Sequence, residues 1–331
     1  MAFGYAYAAA FGGGGLILVL EEPEAHLHPL AQQWLARQLR RVASAGAQVL
    51  VTTHSPYFLD ISKPGTNVLV RKGGEDAATR VVQLPPADLA AKVGAAGAPS
   101  TKVTTATIGT YYESGSTYET LGGFFCRACV LVEGPTESFA LPVLLERAGL
   151  DLLAHGIAIV PVEGVTNLAK WIRLYRAYEI PVYAIFDSDS DQASAHELAA
   201  TVQADILMAL GVEPGEPELN APIGVRATHA VIDPNFEGAI RHLFPNEYER
   251  LDAEAVAQVG RAKQLRARWI ARNLPNPTAD PNAWKWLCQL AEALAALVPP
   301  AAASTTPTSD ATPPQPPPHG PVSRRAAPPR S

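Results

Sequence analysis

Between Ala128 and Asp233 the chain repeats one pattern: a short apolar run, a turn, then a segment with helical apolar spacing. The runs are "ACVLV", "GIAIVPV", "PVYAIF" and "VRATHAVI", and between them lie "TESFALPVLLERAG", "NLAKWIRLYRAYE" and "SAHELAATVQADILMAL". Apolar runs without in/out alternation suit strands covered on both faces. Their alternation with helices predicts an α/β fold built on a parallel sheet with right-handed crossovers. Open sheets of this kind place their chemistry at the C-terminal ends of the strands.

Acids fall at those ends. Glu133 closes the first run, and Glu137, four residues on, faces the same point from the first helical turn. Asp187 and Asp189 form a D-x-D after the third run, with Asp191 two further along, and Glu237 follows "HAVID". Clustered oxygen donors without His or Cys suit Mg²⁺ or Mn²⁺ rather than zinc, and their mutual repulsion makes an ion-free cluster costly, so one or two metal ions are expected.

The order "VLVEGPTE", "PVEG", "IFDSDSD" resembles the Toprim domain, a Glu on the first strand loop followed some fifty residues later by D-x-D; here Glu133 and Asp187 are 54 positions apart. The resemblance implies phosphoryl transfer on nucleic acid, with the acids holding divalent metal against the scissile phosphate.

Upstream, "LILVLEEPEAHLHP" reads as a buried strand delivering Glu21 and Glu22 to its end, in the manner of a Walker B element. Glu21 would hold Mg²⁺ through water, at a position where Asp is usual, and Glu22 would orient the attacking water. A helical pattern at Ala31–Ala43 and the strand "QVLVTTHSP" follow, leaving His54 just past a strand end, placed to sense a γ-phosphate. Together these pieces resemble the second half of an ABC-type ATPase head. His26 and His28 admit an H-x-H metal pair, but a histidine beside a Pro turn is more often a structural hydrogen-bonding residue. No G-x-x-x-x-G-K-[ST] phosphate cradle occurs in the 331 residues. The chain is therefore expected to begin inside an ATPase domain and, by itself, neither to bind nor to hydrolyse ATP appreciably. ATP enters only if a cradle comes from another chain or a missing N-terminal segment.

ABC-type ATPase followed by Toprim resembles the OLD (overcoming lysogenisation defect) family of ATP-dependent endonucleases, over roughly residues 16–60 and 128–273. The resemblance implies Glu133, Glu137, Asp187, Asp189 and Glu237, with Asp191, as metal ligands. It also implies a catalytic set of Glu133, Asp187, Asp189 and a lysine beyond the core acids, for which Lys263 is the best match. Apart from any resemblance, Arg261, Lys263, Arg266, Arg268 and Arg272 surround Trp269 in the densest basic run of a chain whose net charge is −6. That run reads either as a face for DNA phosphates or as a solvated helix face.

The remaining expectations concern organisation. Residues 1–84 read as the ATPase part, 85–123 as a connector with at most a short helix, 124–275 as Toprim, 276–298 as a helical extension and 299–331 as a disordered tail, since 11 of those last 33 residues are Pro. Met1–Leu20 carries no charge, but four consecutive glycines interrupt it and acids follow at once, so a buried helix and strand explain it better than a membrane or signal segment. Three cysteines suit a reducing cytoplasm. Cys126 and Cys129 form a C-x-x-C without the second pair that zinc would need, and read as the structural start of a strand. Two functions stand side by side: a metal-dependent DNA endonuclease, and a non-catalytic partner, homodimeric or paired with an ATPase-bearing chain, in DNA repair or phage defence.

Overall fold

A computed structural model describes residues 16–72, 78–188, 196–212 and 223–298, which belong to one compact unit. The helix expected over the first residues, Asp189, Asp191 and the Pro-rich tail lie outside the described residues.

The chain opens with a parallel pair, β1 (Ile17–Glu21) and β2 (Gln48–Thr52), joined through α1 (Pro29–Ser44). His28 is the N-cap of α1, its Nδ1 accepting from the Ala31 amide at 3.3 Å, which is the structural role expected of a histidine beside a Pro turn. An antiparallel hairpin follows, β3 (Val68–Lys72) with β4 (Thr79–Gln83).

The stretch expected to be a mostly irregular connector instead folds into α2 (Pro86–Ala95), α3 (Ile108–Glu113) and α4 (Tyr118–Gly122). Its few large apolar residues carry the fold: Leu89, Val93, Ile108 and Tyr112 are fully buried against the helices of the next domain.

That domain is a five-stranded sheet of order β6-β5-β7-β9-β8, comprising β5 (Ala128–Val132), β6 (Ile157–Pro161), β7 (Val182–Asp187), β8 (Ile223–Val225) and β9 (His229–Ile232). Four strands are parallel as expected, but "VRATHAVID" is not one strand. The chain turns at Arg226–Thr228, so β8 pairs antiparallel with β9 at the sheet edge. Helices α5 (Pro135–Arg147), α6 (Leu152–His155), α7 (Val165–Ala177) and α8 (His196–Leu210) connect the strands. Beyond β9 come α9 (Phe236–Leu243), α10 (Pro245–Val259), α11 (Lys263–Asn273) and α12 (Pro281–Ala296).

Period-two alternation divides the core. Val130, Val132, Tyr183, Ile185, Ala230 and Ile232 pack on α5 and the C-terminal helices. Cys129, Leu131, Ala184, Phe186 and Val231 pack on α7, α8 and the former connector. Covered on both faces, the central strands are rigid supports for whatever stands at their ends. Among the described residues no helix is long and apolar enough to cross a membrane.

Candidate active site at the strand ends

The acid after β5 is held from two sides. Gly164, at φ +113°, lets the β6–α7 turn bend so that its amide donates to the Glu133 carbonyl at 2.7 Å. The Glu133 side chain crosses to the neighbouring strand, where Oε1 accepts from the Asp187 amide at 2.7 Å. Glu137, at the third position of α5, folds back on the Gly134 amide at 3.1 Å, a capping-box contact that aims its carboxylate toward the sheet edge. It is 8% exposed. Glu237 is placed by the start of α9: Asn235 caps the helix through the Gly238 amide at 2.9 Å, and Phe236 is buried beneath it.

Lys263 is the first residue of α11, and its Nζ stands 2.8 Å from Glu237 Oε1. The far end of α11 is tied down by Arg147, the last residue of α5, which donates to the carbonyls of Ala271 (2.5 Å), Leu274 (2.7 Å) and Pro275 (2.9 Å) and lies over the Trp284 ring. The two helices therefore run side by side in the same sense. Their N-termini bring Lys263 to Glu137 and Glu237.

The charges sense one another. Burial raises the Glu137 carboxyl above its ordinary value, and the neighbouring Glu237 charge adds to this. For Lys263 partial burial pulls downward, but the hydrogen bond and charge of Glu237, with Glu137 and Asp187 behind it, outweigh it and raise the ammonium. Among the described residues no three ligand-type side chains converge tightly enough to grip one ion as they stand. Glu133 and Glu137 are each turned toward a backbone amide, and Glu237 toward Lys263. The donor set, all carboxylate, fits a hard divalent cation.

Asp233 is a further acid at this edge, outside the set expected from the sequence. It directly follows β9, whose last residue Ile232 pairs with Asp187, and its carboxylate accepts from the Ser188 hydroxyl, while Gln203 Nε2 holds the Ser188 carbonyl at 3.3 Å. The strand-end rule that points to Glu133 and Asp187 points to it as well.

The basic run separates into two groups. Arg266 is committed to Asp252 of α10, through a hydrogen bond from Nε at 3.0 Å and a second from Nη2. Arg261, just before α11, is exposed, as are Arg268 and Arg272 one turn apart on the helix, Arg268 over the Phe139 ring of α5, while Ala267, Ile270 and Ala271 are buried.

In the N-terminal part, Glu21 ends β1, and His54 Nε2 is 3.5 Å from Glu22 Oε1, both side chains well exposed. The buried Glu24 accepts from Thr53 Oγ1 (2.6 Å) and the His54 amide (2.7 Å), a clamp on the histidine loop that nothing in "EEPE" distinguished from its neighbours.

Two family models match the chain: the Toprim domain of overcoming-lysogenization-defect-like proteins over residues 124–189, and an AAA domain described as a putative AbiEii toxin of a type IV toxin–antitoxin system over residues 2–60. Over these two segments the chain is similar to OLD-family proteins. It is 27% identical over 175 residues to an OLD nuclease of Thermus scotoductus, covering 52% of this chain and 30% of that one. It is 24% identical over 214 residues to the Old nuclease of Escherichia phage P2, covering 62% and 34%. The chain thus spans about a third of the length of these OLD relatives. The C-terminal region of the Burkholderia pseudomallei OLD protein aligns at 20% identity and a TM-score of 0.33, over 50% of this chain and 99% of that region. The corresponding Xanthomonas campestris region aligns at 20% and 0.32, over 51% and 95%.

Proposed function

We propose that this chain is an OLD-family, cytoplasmic, divalent-metal-dependent DNA endonuclease whose cleavage site is the C-terminal edge of the Toprim sheet. The observation that carries the reading is the ion pair of Lys263 with Glu237, 2.8 Å, at that edge. Glu133, Glu137, Asp187, Asp189, Asp191 and Glu237 would hold Mg²⁺ or Mn²⁺, two ions being the expectation, and Asp233 extends the set. A bound ion supplies charge stabilisation at the phosphate and a more acidic attacking water. Lys263, two-thirds exposed, is free to turn its ammonium from Glu237 to a phosphate oxygen, where it would stabilise charge that grows in the transition state. Arg261, Arg268 and Arg272 would meet the DNA backbone, and Arg266, through Asp252, holds the helix that carries the last two.

A supercoiled-plasmid assay tests this. Nicking or linearisation in Mg²⁺ or Mn²⁺ that stops on chelation supports it; no cutting in either metal at micromolar protein overturns it.

One feature favours a second reading, in which the chain serves as an assembly partner. Ile17, Val19 and Leu50 project from the two-stranded parallel sheet β1-β2 and are 61%, 71% and 55% exposed. Parallel strands are ordinarily covered on both faces. An ATPase-bearing segment or chain supplying the phosphate cradle would cover this surface and give Glu22 and His54 a nucleotide to act on. Nucleotide binding by the chain in isothermal calorimetry, with no such addition, would count against that division of labour.

A further inference from the structure

At the opposite end of β5 from the carboxylates, the sulfurs of Cys126 and Cys129 stand 3.2 Å apart. Cys126 follows the 3₁₀ turn Gly123–Phe125 and is partly exposed; Cys129 is the second residue of β5 and fully buried. Both thiols also face one carbonyl, that of Gly123, at 3.0 and 3.3 Å. A side chain at position 123 would collide with Tyr175 Oη and Cys129 Sγ, 2.5 and 3.0 Å from its Cβ, so glycine is what lets the turn press the two sulfurs together.

We infer that Cys126 and Cys129 form a reversible dithiol–disulfide site, oxidised by hydrogen peroxide and reduced again by exchange with a dithiol, at the junction of the ATPase-type segment with the Toprim sheet. Closing the bond requires roughly 1.2 Å of sulfur travel to the ordinary S–S length. The two thiols are differentiated as such a pair requires. The hydrogen bond from Cys129 lowers the Cys126 thiol, with the Arg71 charge assisting against burial, while burial holds Cys129 protonated. The Cys126 thiolate attacks one peroxide oxygen, the O–O bond breaks, and the leaving hydroxide takes a proton to become water. Cys129 sulfur then attacks the sulfenic sulfur, losing its proton as hydroxide departs and forming the S–S bond and a second water. Two thiols and one peroxide give one disulfide and two waters.

The position gives this chemistry a consequence. Arg71 of β3 reaches across to the carbonyls of Cys126 (3.4 Å) and Arg127 (2.7 Å), and Phe125 faces the His54 ring at 6.5 Å. Oxidation tightens the same few peptides that join the histidine loop and hairpin to β5.

The test uses the whole chain, treated with hydrogen peroxide, then denatured and alkylated. Of its three cysteines, one, Cys288, should remain alkylatable, and dithiothreitol should restore all three. Because Arg127 lies between the pair, trypsin should release two peptides joined by a disulfide and separated by reduction. Cys126→Ser and, as a buried substitution that preserves packing, Cys129→Ala should each abolish the linked species. Three alkylatable cysteines after peroxide, a disulfide that includes Cys288, or sulfinic acid at Cys126 in place of the linked peptides would overturn the assignment. The peptide map of the parent protein decides this even where a variant does not fold.

Discussion

Lys263 Nζ lies 2.8 Å from Glu237 Oε1 although the two residues are 26 positions apart and a whole helix, α10, separates them in the chain. A lysine at the first position of a helix sits against the positive end of the helix dipole, so the pairing with Glu237 is what makes that placement tolerable. It also makes the lysine a competitor of any cation for the same carboxylate.

That competition splits two readouts. Lys263→Ala should slow single-turnover cleavage by about 10² to 10³, while the more negative cluster should bind Mn²⁺ more tightly, by up to about tenfold. Cleavage at saturating enzyme and metal titration by calorimetry measure the two. An unchanged single-turnover rate with weaker DNA binding would reduce Lys263 to a backbone contact.

Arg268 and Arg272 should behave differently from Arg266. Replacing the first two with Ala should flatten the salt dependence of DNA binding by roughly one unit of slope each, with little effect on thermal stability. Arg266→Ala should instead lower the melting temperature, because Asp252 loses its partner. Equal salt slopes for all the variants would show that α11 is only a solvated face.

Arg147 provides a positioning test. Arg147→Met keeps much of the stem over Trp284 but leaves the carbonyls of Ala271, Leu274 and Pro275 without their donor, and should destabilise the fold by roughly 3 kcal/mol. With α11 loosened, kcat should fall more than DNA affinity. Chemical denaturation and single-turnover rates check both; a stability unchanged within error would remove Arg147 from the account.

Lys170 carries a pH signature. It is buried on α7 beside the rings of Tyr111, Tyr112 and Trp171, and burial lowers its ammonium from the ordinary 10.5. A lysine depressed in the folded state binds fewer protons there than in the unfolded chain, so folding stability rises as pH climbs from the depressed value toward 10.5. Lys170→Met should flatten that rise and raise the melting temperature at neutral pH. Because buried tyrosines such as Tyr112 and Tyr183, raised by burial, pull stability down as pH climbs, the readout is the difference between parent and variant: the same pH dependence of melting temperature in both would contradict it.

Much of the Toprim sheet was legible because β5 and β7 are apolar on both faces, and a run such as "ACVLV" admits few other readings. The connector was misread for the opposite reason. Its Ala-, Gly- and Thr-rich stretches carry little local period, and the helices are fixed by a few residues, Leu89 and Tyr112 among them, that find their partners on the α7 side of the core. The strand-end acids follow from position alone, and Asp233, absent from the expected set, meets the same rule. Lys263 was reached only through family resemblance, since no local signal in "GRAKQ" announces an ion pair across an intervening helix. The clamp by Glu24 on the His54 loop spans 30 positions and was equally silent.

The central claim, that carboxylates at the C-terminal edge of the Toprim sheet carry metal-dependent DNA cleavage, is tested most directly by Asp187→Asn. This substitution keeps the shape of a residue whose amide already anchors Glu133 and removes its charge. With supercoiled plasmid and saturating Mg²⁺ or Mn²⁺, the parent chain should nick or linearise the DNA, and the variant, folded to the same melting temperature within a few degrees, should be slower by at least about a hundredfold. A folded Asp187→Asn protein that cuts plasmid as fast as the parent would contradict the account.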